Sequence, residues 1–114
     1  MDIINEESCM VEHYYAKKRD PTVNGYFDPE AMEAFADWND WVFAPGRLGR
    51  KTKELVAVAC TYITRCPYCI EGHAKAALEA GATKEEIAEV IQIAASLNAG
   101  SSIAHRNFAL DIDG

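Results

Sequence analysis

Apolar residues recur along this chain at the three- and four-residue spacing of α-helices. Strand-like alternation is scarce, and the Asn24-Gly25 pair lies in a polar linker, not between β-branched segments. The pattern therefore predicts an all-α fold, a bundle of five to six helices. Its clearest core stripe consists of Ile87, Val90, Ile91, Ala94 and Leu97.

Capping and helix-breaking residues predict where these helices begin and end. Asp28 before Pro29 indicates a helix start, and Pro45-Gly46 indicates a stop. Gly81 suits the position after a helix, and Thr83-Lys84-Glu85-Glu86 forms a capping box. We expect helices over about 3–18, 29–43, 50–64 and 67–80, with a linker over 22–25. A fifth helix should begin after Thr83. A last helix should carry Ile103, Ala104, His105, Phe108 and Leu110.

The third predicted helix contains the stretch Leu55–Cys60, which is apolar on all sides. This composition predicts a central helix that is buried all round, with Cys60 as a small buried hydrophobe. The second helix adds the aromatic residues Trp38, Trp41 and Phe43. A chain of 114 residues cannot cover so many apolar faces by itself, so we expect a homo-oligomer.

The chain length predicts a single domain over 1–114, in which 48–112 form the core and 1–47 an interface or cover. The formal net charge is −7, and residues 1–47, with ten acidic and four basic residues, carry −6 of it. Without a basic stripe, binding to nucleic acid or to an anionic membrane surface is disfavoured. Leu55–Cys60, the longest apolar run without a charge, is far shorter than the ~20 residues of a membrane span. No basic, apolar leader is visible, so we expect a cytoplasmic protein.

The residues most suggestive of chemistry are Cys66, Cys69 and His73, in the segment 66–73. On a helix they fall within about 60° of one another and share one face. Cys66 lies at the helix start, where unpaired N–H groups favour a thiolate. His73 lies four residues after Cys69, a spacing at which an imidazole can accept the thiol proton.

Glu54 is the fourth candidate residue. If the third and fourth helices form a hairpin about residue 65, Glu54 lies ~16 Å and His73 ~12 Å from the turn, a difference of less than one helical turn. The carboxylate can then orient the imidazole and increase its basicity. The four residues can thus form a proton relay that ends in a redox dithiol.

The spacing of Glu54, Cys66, Cys69 and His73, followed by Gly81-Ala82-Thr83 and Glu86-Ile87, resembles the alkylhydroperoxidase D / carboxymuconolactone decarboxylase family. The resemblance covers about 48–110. It implies an alkylhydroperoxidase D-like all-helical fold assembled into trimers or hexamers.

The resemblance implies the activity of a thiol-dependent hydroperoxidase or disulfide reductase without a bound cofactor or metal. Cys69 would attack the hydroperoxide and become a sulfenic acid, which Cys66 would resolve as a Cys66–Cys69 disulfide. Glu54 and His73 would form the proton relay. A dithiol donor, either a lipoyl group or a thioredoxin-like protein, would reduce the disulfide. The chain departs from the alkylhydroperoxidase itself at Tyr68, where that enzyme has a second histidine.

Several alternatives remain open from the residues alone. The helix-start position favours Cys66 as the attacking thiol, whereas the neighbouring base favours Cys69. The chain could instead be a decarboxylase-like proton-transfer enzyme that uses Glu54 and His73. It could also be a redox-sensing or zinc-binding oligomeric module, with Glu54 or His105 as a further zinc ligand.

Overall fold

The computed structural model describes residues 21–113, and all regular structure within that range is helical. The chain divides into two compact units after Asn39. Five α-helices follow a short 3-10 helix at Pro21–Tyr26. They are α1 (Pro29–Phe43), α2 (Arg50–Thr64), α3 (Pro67–Glu79), α4 (Lys84–Ala104) and α5 (Asn107–Leu110). The predicted helix over 3–18 and Cys9 lie outside the described residues.

The first unit contains the 3-10 helix and most of α1. The predicted linker over 22–25 is part of the 3-10 helix, a turn that the fixed φ of Pro21 favours at its first position. As predicted, α1 begins after Asp28, whose Oδ1 accepts a hydrogen bond from the Glu30 amide at 3.0 Å. This bond satisfies one of the amides that a helix start leaves unpaired.

In the second unit, α2 packs against both α3 and α4. A sharp turn joins α2 to α3, in which Arg65 adopts the left-handed conformation (φ 60°) and its amide donates to the Thr61 carbonyl at 2.7 Å. Cys66 then caps α3, and Pro67 occupies its first turn. Gly81 lies in the turn between α3 and α4 and has φ 98°, a conformation in which a residue with a Cβ would be strained.

The core of this unit is small and tightly built. Val58 of α2, Ala77 of α3 and Ala82 form its buried centre. Small side chains at these positions let the helices approach closely. The partly buried apolar residues packed around them are Leu55, Tyr62, Ala74, Ile87, Val90 and Ile91. The predicted stripe on α4 is therefore confirmed from Ile87 to Ala94, but wrong for Leu97, which is 64% exposed.

Two further predictions about burial and boundaries are wrong. The α2 helix is not buried all round, because α3 and α4 cover only one side; Val56 is 51% exposed and Cys60 is exposed. The fifth predicted helix does not stop before Ile103, since α4 continues through Gly100 to Ala104 and α5 has only four residues. Glycine inside a helix costs about 1 kcal/mol relative to alanine and does not by itself end the helix.

Residues 84–110 are long and apolar enough to cross a membrane by length and composition. The expectation that no segment is long and apolar enough to span a membrane is therefore wrong. The uncharged polar residues of α4 lower its hydropathy less than charges do. One such stretch is weak evidence for a membrane span, and it is interrupted at His105, which caps α4.

Val58 should contribute most to the stability of the core. Its side chain is fully buried, so Val58→Ala should lower the free energy of unfolding by about 1.5–3 kcal/mol in urea denaturation. Val23→Ala, at a position that is 53% exposed, should change it by less than about 0.5 kcal/mol. Equal losses in the two variants would contradict this description of the core.

Glu86 should make stability depend on pH. Its Oε2 lies 2.8 Å from Lys51 Nζ and its Oε1 accepts from the Thr83 amide, and these hydrogen bonds hold the pKa of Glu86 below its ordinary value of 4.5. The stabilisation is present above that ordinary pKa and is lost as the pH falls through the lowered one. Glu86→Gln should therefore lower Tm at pH 7 but progressively less below pH 4.5. Glu85→Gln, in the same turn, is the control and should show the smaller shift; the same Tm loss at all pH values in Glu86→Gln would contradict the assignment.

Candidate active site

Glu54 lies one turn into α2, and its side chain is only 3% exposed. A buried carboxylate is costly unless it is paired. Its Oε2 lies 2.8 Å from Nδ1 of His73 on α3, and its Oε1 lies 3.6 Å from Nε of Arg50, one helical turn earlier. The carboxylate thus joins α2 to α3 and fixes one nitrogen of the imidazole.

A second contact holds the His73 ring. Phe43, the last residue of α1, stacks on the imidazole with the ring centroids 5.1 Å apart and the planes 21° from parallel. With Nδ1 bonded to Glu54 and one face covered by Phe43, the ring has a defined orientation. Its Nε2 is then the nitrogen that can exchange a proton with a reacting group.

The two cysteines of the motif lie at the start of α3, on the face that carries His73. Cys66 and Cys69 form a disulfide, with their Cα atoms 5.2 Å apart. The Cys66 sulfur also accepts a hydrogen bond from the Cys69 amide at 3.3 Å, so it caps the helix. Amides at a helix start stabilise negative charge on such a sulfur.

Cys69 and His73 open onto a cavity of about 450 Å³. Cys66 is not among the residues that line it. Most of the wall is apolar, and Lys53 is the residue in it that carries a fixed charge. The apolar wall consists of Val42, Phe43, Leu48, Val56 and Ala57, and Cys60, Thr61 and Thr64 complete the lining.

The structure brings together all four residues singled out in the sequence, Glu54, Cys66, Cys69 and His73. Tyr68 lies between the cysteines but does not line the cavity. His105 is not in the lining either; it is exposed, its Nδ1 lies 2.7 Å from the Ser101 carbonyl oxygen, and it stacks on Phe108.

Two residues of the site escaped the sequence analysis. Phe43 was expected in a core or an interface, and its contact with His73 depends on how the end of α1 is placed. Lys53 gave no signal at all, because one lysine on a helix is ordinary. Only its neighbour Glu54 marks this turn of α2 as unusual.

No group of three or more His, Cys, Asp or Glu residues within 21–113 is arranged to hold a metal ion. The two candidate sulfur ligands are bonded to each other.

The sequence that forms this site matches a known protein family. A sequence model described as "Carboxymuconolactone decarboxylase family" matches residues 29–111. The chain belongs to this family. The resemblance seen in the sequence is confirmed, and the match begins at α1 rather than near residue 48.

Other members of the carboxymuconolactone decarboxylase family share the fold. A solved structure of a family protein from Thermotoga maritima superposes with a TM-score of 0.61, at 30% identity over 75% of this chain and 88% of that one. This likeness confirms the alkylhydroperoxidase D-like helical fold.

Two proteins with related sequences are matched over different shares of their own length. "Uncharacterized protein 4 in cox locus" of Paracoccus denitrificans is 49% identical over 86 residues, 72% of this chain and 78% of that protein. An alkyl hydroperoxide reductase AhpD of Coxiella burnetii is 43% identical over 54 residues, which are 47% of this chain but only 30% of that protein.

Proposed function

We propose that this protein is a thiol-dependent hydroperoxide reductase in which Cys69 is the attacking thiol. The observation that carries the proposal is that Cys69 lines the same apolar cavity as His73, whose ring Glu54 holds in place. The local similarity to an alkyl hydroperoxide reductase supports the same chemistry. A general base within reach of a thiol contributes roughly 10²-fold or more to such a reaction.

The reaction balances with these residues. In the reduced form His73 takes the proton of Cys69, and the thiolate attacks the terminal oxygen of R–O–OH. The O–O bond breaks, an S–O bond forms, and the proton on His73 passes to the leaving alkoxide, which departs as R–OH. The Cys66 thiol then attacks the Cys69 sulfenic acid, water leaves, and the Cys66–Cys69 disulfide forms.

The geometry gives the two cysteines different tasks. Cys66 caps α3 and does not line the cavity, so a substrate in the cavity meets Cys69 first. The helix-start amides that hold the Cys66 sulfur stabilise it as a thiolate, which suits both its attack on the sulfenic acid and its release when the disulfide is reduced. The proposed relay uses one histidine, His73.

The cycle requires two electrons and two protons to restore the thiols. We propose that an external dithiol supplies them, either a lipoyl group or a thioredoxin-like protein, and that the cycle runs in the cytoplasm. We also propose that the working form is a homo-oligomer, a trimer or hexamer, because large apolar side chains such as Trp41, Leu97 and Phe108 are exposed in one chain.

A second candidate is a proton-transfer enzyme of the decarboxylase type. It is favoured by the Glu54–His73 hydrogen bond, which does not involve either thiol. In that case Cys66→Ser and Cys69→Ser variants keep their activity. A third candidate, a zinc-binding module, requires stoichiometric zinc in the purified protein.

One equivalent of an organic hydroperoxide should remove two titratable thiols from each reduced chain, and a dithiol should restore them. Mass spectrometry should place both losses in the peptide that carries Cys66 and Cys69. In Cys69→Ser, the hydroperoxide should leave the Cys66 thiol titratable at the same peroxide dose. A thiol count that does not change in the wild-type chain would rule out the peroxidase.

Glu54→Gln should slow the peroxide-driven loss of thiols by about ten-fold or more, because the imidazole loses the carboxylate that orients it. Stopped-flow thiol kinetics measure this rate, and circular dichroism checks the fold. Glu71→Gln is the matched control, since Glu71 is an exposed acid on α3 that pairs with Lys75. Equal rates in both variants would remove Glu54 from the relay.

A further inference from the structure

Lys53 is the residue with a fixed charge in the mostly apolar wall of the cavity that Cys69 and His73 line. It lies on α2 next to Glu54. Its Nζ donates hydrogen bonds to the carbonyl oxygens of Val42, at 2.7 Å, and Ala44, at 2.5 Å. These bonds fix the ammonium at the end of α1, beside the cavity wall formed by Val42.

The charge of Lys53 is not neutralised within the described chain. The ammonium has three N–H donors, and the two hydrogen bonds use two of them. Both acceptors are uncharged carbonyl groups. Among residues 21–113 no carboxylate lies within ion-pair distance of Lys53, whereas Lys51 pairs with Glu86 and Lys75 with Glu71.

A fixed ammonium with a spare donor, carried by a residue of a mostly apolar cavity wall, suits an amphiphilic ligand with one anionic group. A carboxylate at the ammonium gains a charge-assisted hydrogen bond, which the surrounding apolar wall strengthens. The rest of such a ligand would contact Phe43, Leu48 and Val56. A neutral ligand of the same shape gains only the apolar contact.

We propose that Lys53 is a carboxylate-binding subsite, and that the preferred substrate is an apolar organic hydroperoxide that carries a carboxylate away from its peroxide group. The carboxylate binds at Lys53 and the peroxide reaches Cys69. The substrate class rests on the proposed peroxidase function, whereas the binding of a carboxylate at Lys53 does not.

The kinetic test compares two substrates of nearly equal size, cumene hydroperoxide with a para carboxylate and the methyl ester of that compound. With the wild-type chain, kcat/KM for the carboxylate should exceed that for the ester by about ten-fold, equivalent to about 1.4 kcal/mol. The ratio should fall towards one in Lys53→Met and be largely restored in Lys53→Arg. Lys51→Met, which removes a lysine two residues away, should keep the wild-type ratio.

The binding test needs no turnover. Calorimetry on the disulfide form should show para-isopropylbenzoate binding about ten-fold more tightly than para-isopropylbenzamide, with the difference lost in Lys53→Met and reduced at high salt. If neither hydroperoxide is turned over but this preference is found, the peroxidase fails and the subsite stands. Equal binding of the acid and the amide by the wild-type chain would overturn the subsite and leave Lys53 as a cap of α1. If Lys53→Met does not fold, the test rests on two results: tighter binding of the acid than of the amide by the wild-type chain, and the same preference in Lys53→Arg.

Discussion

The hydrogen bond between Glu54 and His73 is the interaction on which the site depends. A buried carboxylate that loses its closest partner destabilises a protein by about 3–5 kcal/mol, so this contact strongly favours one register of α2 against α3. Once that register is set, the helical period places Cys69 one turn before His73 and Cys66 at the helix cap. Packing of α2 against α3 in this register therefore also assembles the site.

The surroundings of the two cysteines also differ. The Cys69 amide, at the start of α3, donates to the Cys66 sulfur, whereas Cys69 lines the cavity together with His73. The helix-start argument and the neighbouring-base argument, which conflict when only the sequence is considered, then apply to two steps of one cycle. In the proposed cycle, one thiol meets the substrate, and the other is a good resolving and leaving group.

Much of the fold could be predicted from the sequence because it depends on local rules. The proline after Asp28, the turn before Pro67 and the capping box at Thr83 mark helix starts whose causes lie within a few residues. The shared face of Cys66, Cys69 and His73 follows from the helical period alone. The position of Glu54 required only the further assumption of a hairpin.

The errors arose where the outcome depends on distant surfaces. Cys60 and Leu97 lie in patterns typical of buried residues, but no helix within 21–113 covers them. Ile103 and Ala104 are predicted in the last helix, yet α4 continues through Gly100 to Ala104. Lys53 is unremarkable in sequence, and it becomes part of the site only because the end of α1 presents two carbonyl groups to it.

The most direct test of the central claim is to trap the intermediate. Cys66→Ser removes the thiol proposed to resolve Cys69, so one equivalent of an organic hydroperoxide followed by dimedone should label Cys69 as a sulfenic acid adduct, detected by peptide mass spectrometry. The account predicts the label on Cys69 in this variant and its strong reduction when Glu54→Gln is added. A label on Cys66 in Cys69→Ser, with none on Cys69 in Cys66→Ser, would contradict it.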